Sequence, residues 1–142
     1  MGFFFKSEEE KRLDVIRQQL GKGEAVLNEQ WGVFQRFTAQ EQLVVCQGAI
    51  MFDKLLKSKY ETINELSSAS PQDRTEWQQK LMTFMSTQEA QPHLWIGQHF
   101  GFQWYSAYIT YLATNDKQCA AIADRIWLMY EALIRHGLKF QA

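Results

Sequence analysis

Residues 90–115 contain no Asp, Glu, Lys or Arg, yet 22% of the whole chain is charged. The same stretch holds Trp95, Phe100, Phe102, Trp104, Tyr105, Tyr108 and Tyr111. A segment this long and this poor in charge has three readings: a lipid span, a central core helix, or a surface that forms a site. A lipid span is disfavoured, because Gln98, His99, Gln103, Ser106 and Thr110 recur through it and only Leu94, Ile96, Ile109 and Leu112 are large aliphatics. A strand over Phe100–Thr110 is a minor alternative, since Phe100, Phe102 and Trp104 alternate. The favoured reading is a central core helix. Trp95, His99, Phe102, Ser106 and Ile109 share one of its faces, and Gln98, Gly101, Tyr105, Tyr108 and Leu112 share another.

The flanking sequence reads as helix throughout. Ser7 and Glu10 open a first helix through Leu13, Ile16 and Leu20, which Gly21 and Gly23 are expected to stop. A second helix follows over about 24–36. Thr38 and Glu41 form a capping box for a long helix over about 39–66, carrying Val45, Ala49, Phe52, Leu56, Tyr60 and Ile63. Residues 67–70 are the main loop. Ser70, Pro71 and Asp73 then start a helix that fades near Thr87. Pro92 begins the uncharged segment. Asn115 is expected to cap a last helix, with Gln118 in the reciprocal place and Gly137 as its terminator. The expectation is an all-α single-domain helical bundle of five or six helices over 1–142, with residues 1–6 as an apolar N-terminal arm. Only two prolines interrupt 142 residues, which suits long helices.

Composition removes several classes of function. A net charge of −1 gives no electrostatic footprint for nucleic acid, and the aromatic segment has no interleaved Lys or Arg. Cys46 and Cys119 form no CxxC and read as small buried hydrophobes in a reducing, cytoplasmic setting. His93 and His99 stand six apart and diverge around a helix, and no Glu-x-x-His or HExxH occurs, so no metal, cofactor or catalytic residue is assigned. Phe3-Phe4-Phe5 is expected to pack onto the domain. Apolar surface on the second helix, or this start, would allow a homodimer.

What remains is binding. Tyr and Trp join a large apolar body to a polar tip, which suits interfaces and pockets. The expected function is a non-enzymatic protein-binding module, such as an adaptor, inhibitor or immunity-type protein, with another protein as partner. Its candidate site residues are Trp95, Gln98, His99, Gln103, Trp104, Tyr105 and Tyr108. The alternative is a bundle that binds a small apolar or lipid ligand in an aromatic-lined pocket, with Gln98, His99 and Gln103 orienting it.

Overall fold

The computed structural model describes residues 6–140; the Phe3-Phe4-Phe5 arm lies outside them. It is 87% helical, a single helical domain of six helices with no strand among the described residues. In chain order these are α1 (Glu8–Arg36), α2 (Ala39–Lys59), α3 (Ile63–Ser68), α4 (Pro71–Ser86), α5 (Pro92–Thr114) and α6 (Lys117–Lys139). The uncharged segment is α5, and it is the hub: α1, α2, α4 and α6 all pack on it. The aromatic helix, the long helix and the final helix form the centre, as their breadth of apolar surface requires.

The tightest contact in the molecule joins α2 to α5. A Cβ built on Gly97 would stand 1.8 Å from the Val45 carbonyl oxygen and 2.7 Å from the Ala49 nitrogen. One built on Gly48 would stand 2.1 Å from the Leu94 carbonyl oxygen. The two backbones therefore touch, and only glycine fits at these positions. Further along, Gly101 lies under the rings of Phe52 and Tyr130. The matched order of these contacts, ending where Tyr60 stacks on Tyr105 at 6.5 Å, makes α2 and α5 parallel.

Local chemistry explains the starts. Ser7, Thr38 and Ser70 each accept a hydrogen bond from the backbone N–H three residues on, and Thr38 with Glu41 completes a reciprocal capping box. Pro71 and Pro92 occupy first-turn positions, where a missing N–H costs nothing.

Four boundaries differ from the sequence expectation. Helix α1 runs unbroken through Gly21 and Gly23, and no described glycine has positive φ. The heptad-spaced Leu20, Leu27 and Phe34 pack on the core on both sides of the glycines. Gly23 serves close approach, since its Cβ would meet Gln103 Oε1 at 2.7 Å. The long helix breaks at Tyr60, so residues 67–70 are not one loop: Ser67 and Ser68 finish α3. Tyr60 turns inward, 8% exposed, and its hydroxyl donates to Asp73 at 2.6 Å. Thr62 then caps α3 by accepting from Glu65 N–H. At the end of α5, Asn115 is the left-handed C-terminal residue (φ 55), and Asp116 caps α6 through Cys119 N–H. Gly137 does not terminate α6, which continues to Lys139. It is buried instead, and its Cβ would meet Ile50 at 2.7 Å.

Two forked ion pairs hold α1 along α6. Arg17 grips both oxygens of Asp116, with Nε to Oδ2 at 3.0 Å, and Arg125 grips Glu24 at 2.6 and 2.8 Å. The Arg17 bonds hold the Asp116 carboxyl well below the usual carboxylate range.

The two kinds of glycine respond oppositely to alanine. Gly97→Ala is expected to lower unfolding free energy by about 3 kcal/mol or more, because backbone must move to admit the methyl. Gly21→Ala meets nothing within 4 Å, and raises stability by roughly 0.5–1 kcal/mol through helix propensity. Urea denaturation of both variants checks the pair of signs.

Candidate functional site

The seven candidate residues do not share one surface. Helical spacing and the packing of four neighbours around α5 divide them into three groups.

Gln98 and Tyr105 are interior, both at 0% exposure. Tyr105 donates its hydroxyl to the Arg74 carbonyl oxygen at 2.9 Å, and burial pushes its pKa up to about 12. Neither amide atom of Gln98 has a partner within the protein.

Trp95, His99 and Gln103 face α1 and the end of α4. The His99 ring stacks on Trp95, with centroids 4.5 Å apart. Its Nδ1 lies 3.0 Å from Gln30 Oε1, and its Nε2 lies 3.1 Å from Gln103 Nε2. An amide oxygen on one side and an amide nitrogen on the other suit the neutral tautomer with the proton on Nδ1. Burial drives the His99 pKa down to about 4. This imidazole is a fixed link between α1 and α5. With Met82, Met85, Phe102 and others, the group edges a cleft of about 200 Å³.

Trp104 and Tyr108 face the opposite side, toward α3 and α6. Their rings stack at 5.5 Å, Trp104 meets Trp127 at 5.0 Å, and Tyr108 meets Tyr111 at 6.1 Å. The Tyr108 hydroxyl lies 3.0 Å from the Ser67 hydroxyl, tying α5 to α3. Trp104, Trp127, Tyr60, Leu56, Leu66 and Ile63 line a groove of about 90 Å³ at the end of α2. Trp127 and Ile63 were not candidates in sequence. Ile63 lay on the stripe assigned to a continuous helix, and Trp127 belongs to the last helix, outside the uncharged segment. Asp53, Lys57 and Glu61 rim the groove. Lys57 pairs with Asp53 at 2.9 Å, whereas Glu61 enters no ion pair among the described residues.

Reactive groups are sparse. Burial pushes the Cys46 thiol up to about 11, and burial also raises Cys119, so both are protonated at neutral pH. The described residues contain no cluster of three His, Cys, Asp or Glu suited to a metal. Among the described residues, no helix is long and apolar enough to cross a membrane.

The His99 link has a pH signature. Its folded pKa lies below the unfolded value, so the unfolded state binds more protons between about pH 4 and 6.5, and stability falls as pH drops through that window. The loss approaches about 3 kcal/mol at the acid end. Asp116 carries the same sign, because its folded pKa is also lowered, but its contribution is lost only as pH falls below about 4. Urea midpoints at pH 7.5 and 5.0 should differ in the wild type, with a smaller difference in His99→Gln.

Comparison with protein-family models, with curated proteins and with solved structures returns no match.

Proposed function

We propose that this protein is a non-enzymatic protein-binding module that receives one apolar side chain of its partner in the Trp104–Trp127 groove. The observation that carries this reading is size. The groove measures about 90 Å³, whereas small-molecule pockets begin at about 300 Å³. A space of that size, walled by two tryptophans, a tyrosine and branched aliphatics, suits a single side-chain anchor of the kind that dominates interface energetics. Ile63 at 46% exposure extends the apolar wall outward on one side. The free carboxylate of Glu61 at the rim favours a Lys or Arg beside the anchor. The partner's recognition element is thus an apolar residue next to a basic one.

Around the Trp104–Trp127 groove the aromatics do not line a ligand-sized hole. Tyr60 and Trp104 are more than nine-tenths buried by neighbouring rings and helices. This weighs against the alternative of an aromatic-lined lipid or small-ligand pocket.

Panning a displayed peptide library against the full chain tests the reading. Enriched peptides should share an aliphatic or aromatic residue adjacent to Lys or Arg. Ile63→Glu should weaken them roughly tenfold or more, and Glu61→Lys should weaken those with the basic neighbour. Both positions are exposed, so circular dichroism should stay unchanged. Panning that enriches no such pattern, or peptides indifferent to both variants, removes the proposal.

A further inference from the structure

Among the described residues, one largely covered arginine has no counter-ion. Arg74 on α4 is 7% exposed. Its Nη1 donates one long hydrogen bond, 3.4 Å, to the Ser67 carbonyl oxygen. It enters no ion pair among the described residues. The adjacent carboxylate, Asp73, is already engaged by Lys59 at 3.0 Å and by the Tyr60 hydroxyl at 2.6 Å. Arg17, the other substantially covered arginine of the bundle, is matched by Asp14 and Asp116. Burial of a charge is heavily penalised unless an opposite charge meets it.

Arg74 lines a small cavity of about 40 Å³ together with Pro71, Thr75, Ile109 and Ala113. That volume is several times the roughly 10–15 Å³ that one water needs. Thr75, Ile109 and Ala113 also line a cleft of about 300 Å³ between α1, α4 and α5. The cleft has apolar surface from Ile16, Leu20 and Ile109, and polar edges from Gln19, Thr110 and Thr114. Arg74 is the sole ionised side chain lining either space.

We propose that the small cavity and the cleft beside it together bind a small organic acid, with the carboxylate in the cavity against Arg74 and the apolar body in the cleft along Ile16, Leu20 and Ile109. A single cation sets the ligand charge at one. A phosphate dianion would bring a second charge that nothing in the cleft opposes. The planar fork of a guanidinium matches the two oxygens of a carboxylate, and the covered position strengthens the pair. Apolar surface with a few polar groups and one charge is the usual make-up of a small-molecule site. The site lies apart from the Trp104–Trp127 groove, so each stands or falls separately.

Titration of the full chain with hexanoate, followed by amide nitrogen–proton NMR, tests this, with 1-hexanol as the neutral analogue. Saturable shifts are expected at Thr75, Thr110 and Ala113, with hexanol at least about tenfold weaker. Arg74→Met keeps the apolar stem and should abolish the preference for the acid. Ala113→Phe, at an exposed cleft position, should block both probes while leaving Arg74 in place. Absence of saturable shifts, equal binding of hexanol, or undiminished hexanoate binding by Arg74→Met would each overturn the proposal. If Arg74→Met fails to fold, the acid-to-alcohol comparison together with Ala113→Phe decides it.

Discussion

The backbone contact between α2 and α5 at Gly48 and Gly97 sets the spacing of the whole bundle. Two helices that meet without side chains between them are closer than their neighbours can be. Helix α6 accommodates itself to that pair. The Tyr130 ring covers Gly101, and its hydroxyl reaches the Ala49 carbonyl oxygen at 3.5 Å. Gly137 in turn lets α6 settle against Cys46 and Ile50. The side chains of α5 follow the same gradient. On the face of α5 toward α2, Gly97 and Gly101 occupy the point of contact, and Tyr105 follows them, stacked on Tyr60. The groove lies where α2 stops and the short α3 begins.

A helix surrounded on four sides has to satisfy its polar groups without charges. Tyr105 uses a backbone carbonyl of α4, Ser106 accepts from Gln78, and His99 is bracketed by Gln30 and Gln103. These neutral links tie α5 to α1 and α4 where apolar packing alone would leave its rotation less defined. They also account for the absence of Asp, Glu, Lys and Arg from residues 90–115. An ionised group here would need a buried partner, and the neighbouring helices offer amides and hydroxyls. Gln98 is the exception, with no protein partner for either amide atom.

The helical class, the hub position of residues 92–114 and three of the caps were legible because they depend on local spacing. Ser7, Thr38 and Ser70 announce helices by chemistry contained within four residues. The misread boundaries depend on contacts made elsewhere in the fold. Gly21 and Gly23 look like a stop, but the Leu20–Leu27–Phe34 stripe and the approach of Gln103 keep α1 continuous. Tyr60 continues an apolar stripe in sequence, but Asp73 and Tyr105 draw it inward and end α2. The Thr62-x-x-Glu65 pattern was a local sign of that break, masked by the regularity of the stripe around it. Asp116 outcompetes Asn115 as the cap because Asn115 is needed in the left-handed conformation that ends α5.

The candidate site was legible as a composition and not as a surface. Seven residues chosen for their type were spread around a helix whose every side is covered somewhere along its length. What each can do depends on which neighbour ends beside it. Trp104 borders a groove because α2 terminates at Lys59; Tyr105, one residue on, is sealed because α4 continues past it. The same logic applies to Arg74. An arginine in the first turn of a helix after Ser-Pro reads as solvated surface, and nothing within α4 distinguishes it from one. Only the arrival of α3 and α5 over its side chain turns it into a covered positive charge. Binding chemistry in this fold is therefore located by helix ends and by the charges they cover, and the aromatic content of α5 chiefly determines where those ends can lie.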